Sequence, residues 1–403
     1  MRLSFLCTSD LDYPSPRGRW LPLGRELAAQ GHQVRLLMTH HAYDRLARTV
    51  WEPAEGVMVY YAGQMHVYGP VGRRRYYGPA ALLRVSLMGA LRLAAAAVRA
   101  GGDAIHVCKP QPINGLAGLL AARVLGQPLY VDCDDYEAGN NRFGGGWQRR
   151  LVQLWEDTLP RRAAGVTVNT RFLQRRCRAL GVPDARVVYV PNGIAAEKIA
   201  APDRRRAAGL RAALGLGEAP VVAYVGTLSQ TTHNAGLLLE AFALVAGRVP
   251  AARLLLVGDG EDRAMLEERA WRLGLGPRVL FAGPAPYESV PAYLALAACS
   301  VDPVADDPVA RARSPLKIVE SLAAGTPVVT GDVGDRAEVL GGSAGVLVAP
   351  GSARALSDGI CALLEDHALR ARLAGAAQPR AAGYRWDRLA REWASVYGAG
   401  HSD

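Results

Sequence analysis

Short apolar runs alternate along this chain with longer segments whose apolar residues recur every three or four positions. In the first half, runs at 3–7, 34–38, 57–61, 104–107, 129–131, 165–168 and 187–190 have strand length, and segments 19–30, 80–99, 114–125, 147–162 and 171–180 have helical periodicity. The second half repeats the alternation. Strands are predicted at 221–225, 253–257, 279–281, 300–303, 327–330 and 345–348, and helices at 235–246, 263–273, 290–297, 315–324 and 353–365. A last helical stretch, 385–397, sets Trp386, Leu389, Trp393 and Val396 on one face, which reads as a core face. Continuously apolar strands separated by helices predict parallel sheets covered on both sides.

The turn signal Pro191-Asn192-Gly193 and the strand-free, Arg- and Ala-rich stretch 200–217 mark a boundary. A chain of 403 residues also exceeds what one core usually organises. The predicted fold is α/β with two Rossmann-like, doubly wound lobes facing a central cleft. The lobes are 1–195 and 196–383, and a terminal helix, 384–403, packs back toward the first. In such sheets ligands bind beyond the carboxyl ends of the strands, so the polar motifs there are the functional candidates.

Composition changes this picture little. The net charge is +10 and almost all of it is arginine; the lysines are Lys109, Lys198 and Lys317. No zinc-finger spacing or aromatic-basic pattern points to nucleic acid. Cys7, Cys108, Cys133, Cys177, Cys299 and Cys361 form no C-x-x-C pair, which suits a reducing, cytoplasmic setting without structural disulfides. The apolar N-terminus is too short for a signal peptide and reads as a first strand. The stretch 79–100 is interrupted by Arg84, Arg92 and Arg99 and follows Arg73-Arg74-Arg75, so the region 73–99 is a candidate for peripheral contact with an anionic membrane face.

The segment Arg313-Ser314-Pro315-Leu316-Lys317-Ile318-Val319-Glu320 carries the most chemistry. Ser314 is a candidate N-cap and Pro315 a candidate first helical residue. Lys317 and Glu320 then share a helix face. A helix start beside a lysine suits a diphosphate, and a glutamate one turn deeper can accept from sugar hydroxyls. In the first half, Asp132-Cys133-Asp134-Asp135-Tyr136-Glu137 crowds carboxylates at a strand end, which requires solvation, pairing or function. No metal-ligand set is evident. His106, at another strand end, reads as structural.

With Val190-Pro191-Asn192-Gly193-Ile194, Tyr224-Val225-Gly226-Thr227-Leu228, Leu239-Glu240-Ala241-Phe242 and Leu255-Leu256-Val257-Gly258-Asp259-Gly260 preceding the Ser314–Val329 stretch, the chain resembles the retaining glycosyltransferases of the GT-B fold, group 4. The resemblance implies transfer of a sugar from a nucleotide-diphospho-sugar to an acceptor hydroxyl, without a cofactor or metal. The acceptor would be a carbohydrate, a lipid-linked glycan or a small molecule. Glu320 matches the family's ribose-binding glutamate. Gly226, Thr227 and Asn234 fall where the donor phosphates are approached, Gly258 lies near the nucleotide, and Ala282-Gly283-Pro284 matches the base-contacting loop. Lys317, Arg313, Ser314 and Pro315 complete the donor set. Asp134 and Asp135 match a loop facing the donor sugar, and Arg17-Gly18-Arg19 a loop near its phosphates, although an exposed capping turn fits Arg19 slightly better. The chain departs from the pattern at Ala312, where a first glutamate is usual, and at Thr227 and Asn234, where cations are usual. Two readings stay open beside transfer: a nucleotide-sugar epimerase on the same fold, and a non-catalytic nucleotide-binding protein.

Overall fold

The computed structural model describes residues 1–13, 15–69, 75–141, 143–199 and 204–398. Arg73 and Arg74 of the basic stretch and Pro14 lie outside the described residues. Two compact units are present. One comprises residues 1–193, 312–314 and the C-terminal segment from 386; the other comprises 194–311 and 315–385. Residues 312–314, which lie in the predicted second lobe, thus belong with the first unit.

The first unit is built on β1 (Arg2–Cys7), β2 (Gln33–His40), β3 (Val50–Ala54), β4 (Val57–Gln64), β5 (Val67–Tyr68), β6 (Arg75–Tyr76), β7 (Ala104–Cys108), β8 (Leu129–Cys133), β9 (Gly165–Val168) and β10 (Val187–Tyr189). Eight of these form one sheet in the order β10-β9-β8-β7-β1-β2-β4-β3, parallel except for the edge strand β3. β5 and β6 form a separate antiparallel ribbon. Alternate residues of β1 serve opposite cores. Leu3, Phe5 and Cys7 pack with Trp20, Leu23, Leu27 and the terminal helix Trp386–Gly398, whereas Leu6 packs with Leu93, Ala97, Ala117 and Ala121 on the other side. Chain order reverses between β1 and β7, which makes their carboxyl ends this sheet's switch point.

Helix Pro79–Ala100 is, among the described residues, the one helix long and apolar enough by length and composition to cross a membrane. It buries Gly89, Ala90, Leu93, Ala94 and Ala97 within the first unit and leaves Leu83, Leu87, Met88 and Leu91 exposed.

The second unit holds β11 (Val221–Val225), β12 (Arg253–Val257), β13 (Val279–Gly283), β14 (Cys299–Asp302), β15 (Val328–Gly331) and β16 (Gly345–Val348). They form one parallel sheet in the order β13-β12-β11-β14-β15-β16, with its switch point between β11 and β14. Helices Ala235–Arg248 and Ala353–Glu365 cover one face through Leu238, Phe242, Val245, Ile360 and Leu363. The pattern overlooks β3, β5 and β6, and it overlooks helices Arg204–Ala213, Arg336–Leu340 and His367–Ala382. The strands are short or sit at an edge, and those helices are arginine-rich, short or carry an internal proline, so little periodicity marks them.

One buried carboxylate makes the fold pH-sensitive. Glu156, on helix Gly146–Arg162, accepts from the Glu137 and Ala138 backbone N–H groups at 2.6 and 3.0 Å. Burial, reinforced by the Glu137 charge, pushes its pKa up to about 7. The folded state therefore holds a proton that the unfolded chain releases above its ordinary value of 4.5. Stability should fall as pH rises across that window, by about 1–3 kcal/mol. Urea unfolding from pH 4.5 to 8 checks this, and Glu156→Gln should flatten the dependence.

Candidate active site

In the second unit the ends of β11, β12 and β13 interlock through glycines. Gly226 N–H donates to Val257 O at 2.9 Å, and Gly258 N–H donates to Gly283 O at 2.8 Å. Gly226 and Gly258 have φ of 153° and 137°, and a Cβ at Gly258 would lie 2.0 Å from Gly226 O. Only glycine fits there, so the turn lies close to the backbone and leaves room above it. Lys317 comes beside it: a Cβ at Gly226 would sit 3.6 Å from Lys317 Nζ. That amine is 3.3 Å from Asp302 Oδ1 at the end of β14 and 3.5 Å from the Tyr224 hydroxyl. Asp302 Oδ2 also accepts from Arg336 Nε at 2.8 Å. Burial alone would push the Asp302 carboxyl up, but Arg336 and Lys317 outweigh it and hold it well below the usual carboxylate range. Two cations thus share one carboxylate at the β11/β14 switch point.

Helix Leu316–Ala323 starts at this point. Pro315 occupies its N-cap with no side-chain cap, and Ser314 Oγ instead accepts from Asn192 N–H at 2.9 Å within the first unit. The predicted N-cap role of Ser314 and the first-turn place of Pro315 are therefore corrected by one residue: the short serine is drawn off by the Asn192 turn. Glu320 lies one turn into the helix. Burial pushes its pKa up, against the pull of Lys198, the Tyr287 hydroxyl and Lys317. Burial in turn pulls Lys198 down, against Glu320, Glu288 and Glu197. Lys198 Nζ lies 2.9 Å from the Tyr287 ring centroid.

Glu320 walls two small pockets, one with Val225, Ser300, Asp302 and Lys317, the other with Ile194, Lys198 and Pro291. Ser300 Oγ is buried and has no hydrogen-bond partner among the described residues. Such an orphan in a pocket wall suits a polar ligand. Thr227 O accepts from the Tyr224 hydroxyl at 2.7 Å. Asn234 adopts a left-handed conformation, φ 49°, and heads helix Ala235–Arg248.

The other sequence candidates lie in the first unit. Arg19 is not exposed, as a capping turn would leave it: it is 1% accessible. It clamps Asp132 with Nε–Oδ2 and Nη2–Oδ1 bonds of 2.9 and 2.8 Å, and its Nη1 donates to Val190 O and Asn192 Oδ1. Gly18 is buried in the turn Pro16–Trp20 that delivers this arginine. Asp134 and Asp135 surround Lys109, with Glu137 as a third carboxylate; the Nζ–O distances are 3.5, 2.7 and 2.8 Å. Burial opposes the charge on Lys109, but Asp135, Glu137 and Asp134 raise its pKa well above the ordinary value. Asp134 itself is pushed up by burial against the pull of Lys109. Lys109 has φ 72°, unusual for a side chain with a Cβ. The carboxylate crowd is thus resolved by pairing. His106 is fully buried, its Nδ1 3.0 Å from the Tyr397 hydroxyl, and burial takes its pKa down to about 3, so it does not face a cleft. Arg313 Nη2 donates to Asn140 Oδ1 at 3.2 Å, and Ala312 is fully buried.

Sequence reasoning missed Tyr224, Asp302, Arg336, Lys198 and Tyr287. The only signal was a charge closing the apolar run Ser300-Val301-Asp302. It also missed the juxtaposition of Asp10 and Asp12 with His40 and His41, whose pairs are separated by a whole helix.

Two doubly wound units with glycine turns at a switch point define the GT-B class. Sucrose-phosphate synthase from Thermosynechococcus elongatus shares the fold, with a TM-score of 0.78 at 22% identity over 99% of this chain and 98% of that one. Residues 17–193 match the "Glycosyl transferase 4-like domain", and residues 219–366 match "Glycosyl transferases group 1". The chain belongs to this glycosyltransferase family. It is 32% identical over 206 residues to the GDP-mannose-dependent alpha-(1-6)-phosphatidylinositol monomannoside mannosyltransferase of Mycolicibacterium smegmatis, a match spanning 50% of this chain and 53% of that protein. It is 25% identical over 402 residues to the phosphatidyl-myo-inositol mannosyltransferase of Mycobacterium leprae, covering 98% and 96%.

Proposed function

We propose that the protein transfers a sugar, with retention of anomeric configuration, from a nucleotide-diphospho-sugar to an acceptor hydroxyl in glycan, glycolipid or glycoside synthesis. The observation that carries this reading is the placement of Lys317 between Gly226 and Asp302, with Glu320 one helical turn away. Gly226, Gly258 and Gly283 admit the nucleotide diphosphate to the backbone, and Glu320 accepts from its ribose hydroxyls. The bond from the anomeric carbon to the diphosphate breaks, and its electron pair leaves with the phosphate. Lys317 and the helix start stabilise that charge. The acceptor oxygen bonds to the same face, and its proton passes to the departing phosphate oxygen. In the first unit, Lys109 holds Asp134 and Asp135 in fixed positions. No step needs a metal, because the cations are side chains. The family membership favours transfer over epimerisation or a purely binding role.

We place the protein in the cytoplasm. Exposed Leu83, Leu87, Met88 and Leu91, interleaved with Arg84, Arg92 and Arg99, suit peripheral contact with an anionic membrane face, as a lipid-linked acceptor requires. Incubation with a panel of nucleotide-sugars and acceptors, read by proton NMR of the product, tests the reaction. Retention predicts a product whose anomeric configuration, read from its one-bond C1–H1 coupling, matches that of the donor. An inverted product contradicts retention, and acceptor-independent interconversion of the donor sugar contradicts transfer.

A further inference from the structure

Beyond β1 and β2 in the first unit, Asp10, Asp12, His40 and His41 each bring a carboxylate oxygen or ring nitrogen within 4.8 Å of all the others. We propose a divalent-cation site here, with Asp10, Asp12 and His41 as ligands. It is inferred without the donor chemistry. Asp10 Oδ2 lies 2.8 Å from His41 Nδ1, and Asp12 Oδ2 lies 4.0 Å from the same nitrogen. The backbone fixes this geometry: Asp10 Oδ1 accepts from Asp12 N–H at 3.0 Å, and Oδ2 accepts from His41 N–H at 3.0 Å. His40 is a positioning residue. Its Nδ1 accepts from Ala42 N–H at 3.0 Å, and its ring stacks on His41 at 4.5 Å, which sets the plane of the ligand imidazole.

The second, independent observation is one of charge. Asp10 is fully buried, yet among the described residues no lysine or arginine pairs with it. By contrast, buried Asp132 is paired with Arg19, Asp134 with Lys109, and Asp302 with Arg336 and Lys317. A buried carboxylate is costly unless it keeps a proton, is hydrogen-bonded or meets a positive charge, and beside its two backbone donors Asp10 faces the His41 imidazole rather than a permanent cation. A divalent cation between Asp10, Asp12 and His41 Nδ1 supplies the kind of charge that Arg19, Lys109, Arg336 and Lys317 supply to the other three. The Asp12 side chain is 54% accessible, so the site opens to solvent on one side, leaving coordination positions for water or a substrate oxygen. One imidazole and two carboxylates suit a borderline or hard divalent ion such as Zn2+ or Mn2+ rather than a soft one.

The test is Mn2+ titration of the chelator-treated full chain, with free Mn2+ read by electron paramagnetic resonance and no donor present. The proposal expects one Mn2+ per chain, displaced by Zn2+, with affinity at least about tenfold weaker in Asp12→Asn and in His41→Gln. Asp12 is exposed, so Asp12→Asn should fold even if a change at buried Asp10 would not; circular dichroism verifies both variants. No uptake of Mn2+ or Zn2+ up to about 1 mM, a range of only very weak binding, overturns the site. So does undiminished uptake in folded Asp12→Asn. Because the readout involves no sugar transfer, failure of the transferase reading leaves this result standing.

Discussion

Glu320→Ala should lower kcat/KM for sugar transfer by about a hundredfold, corresponding to roughly 3 kcal/mol for two charge-assisted hydrogen bonds to the donor. The fold should survive, because Glu320 is only partly buried and its helix is held by Ile318, Val319 and Leu322. The same residue predicts a pH limb. Only the ionised carboxylate accepts from both ribose hydroxyls, and burial raises its pKa above the ordinary 4.5. Donor affinity should therefore decline as pH falls toward and through that raised value, and the limb should vanish in Glu320→Gln. Steady-state kinetics with the best donor, alongside melting curves, separate this from unfolding. A folded variant with unchanged turnover would remove Glu320 from the site.

The largest loss of stability should follow Arg19→Met. The substitution leaves Asp132 buried without its guanidinium, keeping only the bonds from Trp20 Nε1 and Thr167 Oγ1 at 2.9 Å each. Breaking one side of such a pair removes about 3–5 kcal/mol. Adding Asp132→Asn removes the stranded charge and should recover part of it. Chemical unfolding of the single and double variants reads both effects. A loss below about 1 kcal/mol, the scale of a surface ion pair, would mean that the clamp is not what holds β8 to the turn Pro16–Trp20.

The alternating pattern made the two sheets legible because parallel strands buried on both faces leave long apolar runs between helices. The glycine turns after Val225 and Val257 were legible for a related reason: a backbone that must bend and stay open admits no other residue. The polar partners were not. Asp302 and Arg336 are 34 residues apart, Lys109 lies 26 and 28 residues from Asp135 and Glu137 on the neighbouring strand's end, and only folding fixes their pairing. The carboxylates at 134–137 read as solvated, paired or functional because Lys109, one strand away, was not connected to them. Arg19 read as exposed because a buried arginine is rare without a partner, and its partner Asp132 lies 113 residues on. Ser314 was displaced from its cap by Asn192, a contact no local rule contains.

The central claim is that the β11/β14 switch point, with Lys317 and Glu320, binds a nucleoside diphosphate. Thermal unfolding of the wild-type chain and of Glu320→Ala with UDP, GDP, ADP and TDP tests it most directly. One nucleotide, at about a hundred times its dissociation constant, should stabilise the wild type by about 2.7 kcal/mol, and at the same concentration should stabilise the variant far less. No shift with any of the four, or an equal shift in the variant, would contradict the account.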